Sequence, residues 1–278
     1  MGTMFTEESC LPSPGELQQK GTRKTLNMLF LVDVSGSMEE DGRMDAVNEA
    51  FEQMIPELQN VQRECLSDFE LRVAIMTFDT KANWIVAPTP ILEYVHAPIR
   101  FDRWATFYSK AFRGLNEVLT KQKYMHHEGK IAEPYIMFLT DGKPTANDNY
   151  NEALDELLQN AWFTNSQRFA VLIGKEAVQS DSARAAVARF VSNPAEGIIS
   201  AESAVTLASQ VQAKTLHTVV GMTKHNIVPE SGDEPGIDKS GDEPGYDTGN
   251  AAVMDYGSGD DDTSFFLNEQ GSAGGVFY

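Results

Sequence analysis

Cysteine is almost missing from this sequence. Cys10 and Cys65 are the two in 278 residues. They imply no disulfide framework, and such sparing use fits a reducing, cytoplasmic setting. Long apolar runs are missing too: no stretch approaches the roughly 20 residues of a membrane span. The first residues lack the basic-then-apolar order of a signal peptide. Met1-Gly-Thr-Met-Phe-Thr6 fits a myristoylation consensus, but nothing basic follows it at once. Positive charge is scarce. Lys and Arg number 22 against 41 Asp and Glu, a formal net charge of -19. That balance argues against nucleic acid and anionic membrane as partners, since both need a basic face. There is no phosphate-binding glycine loop and no Gly-x-Ser-x-Gly elbow. His126 and His127 are adjacent, share no helix face and have no cysteine or third histidine nearby. A zinc role does not suit them.

What is present centres on Met28-Leu-Phe-Leu-Val-Asp-Val-Ser-Gly-Ser37. Five unbroken apolar residues, Met28 to Val32, suit a strand buried on both faces of a parallel sheet. They deliver Asp33, Ser35 and Ser37 in alternation, so one carboxylate and two hydroxyls can converge just past the strand end. An all-oxygen set with little charge suits a hard divalent cation such as Mg²⁺ or Mn²⁺. The competing reading is a helix cap at Asp33 and serines filling a turn. Ile136-Met-Phe-Leu-Thr-Asp-Gly142 is a second buried-strand run ending in a carboxylate, Asp141, and Thr106 opens an apolar-periodic segment between the two. Asp33, Ser35, Ser37, Thr106 and Asp141 would then meet at one pole.

The rest of the chain alternates strands with helices. Arg43–Asn60 places Met44, Val47, Phe51, Met54, Ile55 and Leu58 on one helical face, so its methionines are core filler. Arg43 with Glu39, Glu40 and Asp41 reads as a solvated helix entrance. Phe69–Asp79 and Ala82–Ala87 read as a hairpin, which puts one antiparallel strand at an edge. Residues 91–104 are irregular and aromatic; Tyr94, His96, Phe101 and Trp104 either rim the site or pack under the loop. A helix is expected over Thr106–Leu119, a polar connection over Lys121–Ile131 and a strand over Tyr135–Thr140. A helix buried through Leu154, Leu157, Leu158 and Ala161 follows, capped by Asp148 or Asn149. Next come a strand at Arg168–Gly174, a helix capped by Asp181 or Ser182 and running through Val191, a strand at Gly197–Ser200 and a last helix at Ala204–Leu216. The pattern predicts an α/β fold: a doubly wound, mostly parallel sheet with one antiparallel edge strand and helices on both faces. Both aspartates fall at the carboxyl edge of that sheet.

Asp33-Val-Ser-Gly-Ser37 with Thr140-Asp-Gly142 resembles the metal-ion-dependent adhesion site (MIDAS) of von Willebrand factor A (vWA) domains. The resemblance covers about Thr25 to Gly221 and implies a Rossmann-like fold. The free-standing bacterial proteins linked to tellurite resistance look most similar, and these accompany a Ser/Thr kinase and a PP2C-like phosphatase. Relatives usually carry a glycine pair before the threonine, where Trp104-Ala105 stands here. The resemblance implies that Ser35, Ser37 and Thr106 contact one Mg²⁺ or Mn²⁺ directly, while Asp33 and Asp141 act through water. It also implies that a protein partner supplies an Asp or Glu to the ion.

Three segments follow: a flexible lead-in at 1–24, the vWA domain at 25–221 and an acidic tail at 222–278. Twelve acidic and two basic residues after Met222 give the tail -10 of the -19 total. Such composition reads as disordered. Ser231-Gly-Asp-Glu-Pro-Gly236 recurs as Ser240–Gly245, two copies being too few for a solenoid. Phe265–Leu267 and Val276–Tyr278 are apolar clusters, read either as docking motifs or as incidental aromatics. Thr248, Thr263, Ser231 and Ser240 are candidate phosphosites. The expected function is a non-enzymatic, metal-dependent protein-interaction module, an adaptor or substrate in a kinase–phosphatase signalling or stress-response system. The alternatives are a metal-dependent hydrolase or phosphatase, or an accessory subunit of a chelatase-type ATPase. Phosphoryl-transfer aspartate enzymes need a second carboxylate two residues after the first, and Ser35 stands there.

Overall fold

The computed structural model describes residues 23–64, 69–102, 104–126 and 129–225. Expectations for the lead-in up to residue 22, for Cys10, Cys65 and His127, and for the tail beyond 225 lie outside these residues.

Strand β1 (Lys24–Asp33) is buried over nine of its ten residues. The physical cause is that both of its faces are covered, and period-2 alternation sorts its side chains between two cores. Leu26, Met28, Phe30 and Val32 join one core; Leu29 and Leu31 join the other. β2 (Phe69–Phe78) pairs with β1 in parallel along its full length. β3 (Ala82–Pro90) returns antiparallel to β2 and forms one edge of the sheet. β4 (Lys130–Ile131) adds a two-residue parallel pairing at the start of β1. β5 (Tyr135–Thr140), β6 (Gln167–Ile173) and β7 (Ile198–Ala201) complete the order β3-β2-β1-β5-β6-β7. This is the mostly parallel sheet with one antiparallel edge strand that the hydrophobic runs predict.

One face carries α1 (Arg43–Glu64) and α7 (Ala204–His225), through Val47, Phe51, Met54 and Leu58 and through Leu207, Val211 and Val219. The other carries α2 (Tyr108–Val118), α3 (Tyr150–Leu157) and α6 (Asp181–Ala188). There an aromatic cluster forms around Phe138, which stacks on Phe78 at 4.9 Å and meets Tyr108 edge-on at 4.8 Å. Two single-turn helices, α4 (Ala161–Thr164) and α5 (Lys175–Val178), fill the connections.

Several local expectations change. The helix expected through Ala161 breaks after Leu157, because the Asn160 side chain accepts from the backbone of Trp162 and starts α4 afresh. Ala161 is therefore exposed. Ser180, not Asp181 or Ser182, caps α6 by accepting from Ala183 N. Asn149 stands at the start of α3 without a side-chain cap, whereas Asp148 reaches across to the N-terminus of α2 and accepts from Ser109 N at 3.1 Å. The polar connection expected over Lys121–Ile131 contains β4 and the buried Met125. α7 continues to His225, beyond the end expected at Leu216.

Candidate metal centre

β1 and β5 are adjacent and in register, with Leu31 opposite Phe138 and Val32 opposite Leu139. The carboxylates one or two residues further on must therefore emerge side by side at the carboxyl edge. Asp33 is fully buried, and Asp141 is 5 % exposed. Asp33 Oδ1 accepts from Ser35 N at 2.9 Å, and Oδ2 accepts from the Thr140 hydroxyl at 2.7 Å. The Ser37 hydroxyl donates to Asp141 Oδ1 at 2.9 Å and lies 3.3 Å from Ser35 Oγ. Four of the five expected residues thus form one hydrogen-bonded group.

Thr106 lies in the neighbouring loop. Its carbonyl accepts from Thr145 N at 2.9 Å, but among the described residues no hydrogen bond joins its hydroxyl to the group. Backbone bonds stitch this loop to the others. Gly36 N donates to Trp104 O, Asp102 N to Val34 O and Phe107 N to Asp79 O. The residues of 91–104 divide. Tyr94 is buried and His96 stacks on Phe51 at 5.1 Å, while Phe101 and Trp104 are exposed, Trp104 by 60 %.

Two residues carry more than their sequence context suggests. Tyr108, fully buried, donates to the Gly142 carbonyl at 2.7 Å and lies 3.1 Å from Thr140 Oγ1, so it braces the floor beneath both aspartates. Burial holds its phenol well above the usual range. Arg43 overturns the reading of a solvated helix entrance. It is 6 % exposed, and its guanidinium donates to Asp141 Oδ2 at 2.7 Å and to the Ser37 carbonyl at 3.1 Å. Its acidic neighbours Glu39, Glu40 and Asp41 are exposed, as expected. No periodicity could have marked Arg43, because its partner is 98 residues away.

The electrostatics follow from these contacts. Asp141 has a cation beside it. Asp33 has none among the described residues and is held only by neutral donors. Desolvation first, and then the charge of Asp141, push Asp33 up from 3.8 to about 7; the Ser35 and Thr140 hydrogen bonds oppose the rise. A buried carboxylate without a counter-cation, next to two hydroxyl oxygens that face each other, fits a hard divalent ion. Ser35, Ser37 and Thr106 would offer neutral oxygens, and Asp33 and Asp141 the negative charge.

Residues 28–143 match the family described as von Willebrand factor type A domain. No curated protein matches the chain. Among solved structures, the chain is similar to the vWF domain of the type V pili tip protein Mfa5 from Porphyromonas gingivalis. The TM-score is 0.55 at 10% identity, covering 72% of this chain and 97% of that one. The pilus adhesin SpaC from Lactobacillus rhamnosus GG gives a TM-score of 0.55 at 13% identity, over 72% of this chain and 32% of SpaC. Proximal thread matrix protein 1 from the mussel byssus, in a form whose MIDAS motif is zinc-occupied, gives 0.50 at 11% identity, over 69% and 47%. The match thus spans less than half of the byssus protein and about a third of the adhesin. At these identities the likeness shows the fold alone, a mostly parallel, helix-flanked sheet consistent with the Rossmann-like vWA fold.

Proposed function

We propose that this protein is a divalent-metal-dependent interaction module whose bound Mg²⁺ or Mn²⁺ takes a carboxylate from a partner protein. The observation that carries the reading is the uncompensated Asp33 beside Asp141, Ser35 and Ser37 at the carboxyl ends of two adjacent strands. Neutral hydroxyl ligands leave most of an ion's charge unspent. Such an ion favours an outside Asp or Glu to complete its shell. The zinc-occupied MIDAS of the byssus protein, which shares the fold, is in keeping with a divalent ion at such a pole. Exposed Trp104 and Phe101 beside the serine loop would give a partner an aromatic anchor.

The module acts by binding, without turnover of its own. Ser35 occupies the place where an aspartate-based phosphoryl-transfer enzyme needs its second carboxylate. The setting in a cytoplasmic kinase–phosphatase circuit, with a Ser/Thr kinase and a PP2C-like phosphatase as neighbours, rests on the resemblance to tellurite-resistance-type proteins alone. Among the described residues no helix is long and apolar enough to cross a membrane.

The test is capture of partners by the full chain in Mg²⁺ and in EDTA, with Asp141→Ala beside both. Capture that needs metal and is lost in the variant supports the reading. Equal capture in EDTA overturns it. Phosphatase turnover with Mn²⁺ that Asp33→Ala abolishes would restore the enzyme alternative.

A further inference from the structure

The two aspartates of the pole are not equivalent. Asp33 is met by a backbone N–H and a threonine hydroxyl, both neutral. Asp141 is met by a serine hydroxyl on one oxygen and by a guanidinium on the other. An arginine remains charged at every working pH, so this difference is permanent.

The chain goes to some lengths to place that arginine. Asp41 and Gly42 adopt left-handed backbone, with φ 51° and 67°, and this turns the chain so that α1 begins with Arg43 facing inward. A left-handed aspartate is an uncommon conformation with a modest cost. On the far side, Gly174 at φ 86° leaves room for the guanidinium. A Cβ there would sit 2.9 Å from Arg43 Nε. Nε itself is buried without a hydrogen-bond partner, so the group is not placed to satisfy its own donors. The exposed carboxylates of Glu40 and Asp41 lie at 3.6 and 3.8 Å from its outer nitrogen. The inner nitrogen is the one on Asp141, and it also holds the Ser37 carbonyl.

We propose that Arg43 is a positioning residue that sets the strength of the metal site, by holding Asp141 back from direct ligation so that the ion keeps its appetite for an outside carboxylate. The inference rests on the reading of this pole as a metal-dependent interaction site. With Arg43 present, the formal charge of Asp33, Asp141 and Arg43 together is one negative. Without it, the sum is two negatives, and Asp141 Oδ2 is free to turn toward the ion. Both changes strengthen metal binding. Both also satisfy the ion from within, which weakens its hold on a foreign carboxylate. Metal affinity and carboxylate affinity therefore move in opposite directions when Arg43 is neutralised. Simple damage to the loop would lower the two together.

The experiment compares the full chain with Arg43→Gln and Arg43→Lys, using Mn²⁺ as the metal and acetate as the carboxylate probe. Calorimetry gives the Mn²⁺ affinity, and water-proton relaxation gives the number of waters on bound Mn²⁺ and their displacement by acetate. Arg43→Gln is expected to bind Mn²⁺ about tenfold more tightly, carry one water fewer and bind acetate about tenfold more weakly. Arg43→Lys keeps the charge and stays near the wild type, which separates the electrostatic effect from a folding defect. Mn²⁺ binding in Arg43→Gln that is unchanged or weaker, with the full number of waters, overturns the inference. A wild type that binds Mn²⁺ no better than a Ser35→Ala/Ser37→Ala control removes the metal reading itself and the inference with it. That failure differs from the first because it appears before any Arg43 variant is compared.

Discussion

Replacing Asp33 by asparagine should stabilise the metal-free protein while destroying its metal site. The carboxyl group is fully buried and titrates at about 7 instead of 3.8. Its folded-state value lies above the unfolded one, so its stabilising contribution is complete below about pH 4 and is lost as pH rises through 7. Keeping it ionised above pH 7 costs the metal-free fold about 4 kcal/mol, at about 1.4 kcal/mol per pH unit. Asparagine keeps the acceptor for Ser35 N but obliges the Thr140 hydroxyl to turn its proton elsewhere. Allowing about half the gain for that loss leaves about 2 kcal/mol, or about 4–8 °C in Tm for a domain of this size. Thermal melts in EDTA across pH 4 to 7.5 measure it. By the same arithmetic the variant should be about 2 kcal/mol less stable than the wild type at the acid end, where Asp33 is protonated, and overtake it toward neutrality. Adding Mg²⁺ should raise the wild-type Tm and leave the variant where it was. An asparagine variant no more stable than the wild type in EDTA at neutral pH, or an advantage that does not grow with pH, would refute the reasoning.

Thr106→Ala should change Tm little, since among the described residues its hydroxyl makes no hydrogen bond within the group, but should lower Mn²⁺ affinity measurably in calorimetry by removing one of the neutral oxygens offered to the ion. Gly174→Ala combines a left-handed backbone with a Cβ that meets Arg43 at 2.9 Å, so chemical denaturation should show a loss of about 1–3 kcal/mol. Phe138→Ala, which opens the aromatic cluster on the α2 face, should cost about 3–5 kcal/mol by the same method. A loss under about 1 kcal/mol would mean that the surrounding rings collapse into the space.

The sheet was legible because burial on both faces leaves an unbroken apolar signature. Met28–Val32 and Ile136–Leu139 admit few other readings, and their ends locate Asp33 and Asp141 without further information. Helix faces were legible for a different reason: burial on one side alone leaves apolar residues at steps of three and four, as along Val47, Phe51, Met54 and Leu58. What escaped was long-range and polar. Arg43 sits among acidic residues in sequence, where a solvated entrance is the natural reading, yet its side chain turns inward to a carboxylate on another strand. Asp148 precedes one helix and caps another, since the Ser109 amide is nearer in space than in sequence. Such contacts depend on tertiary placement, and local pattern carries no trace of them.

The most direct measurement is a calorimetric titration of Mn²⁺ into the full chain and into a Ser35→Ala/Ser37→Ala variant. One ion per chain in the wild type, absent from the variant, is the expected result. Identical isotherms from the two proteins would contradict it, because any bound ions would then sit on acidic residues away from Asp33 and Asp141.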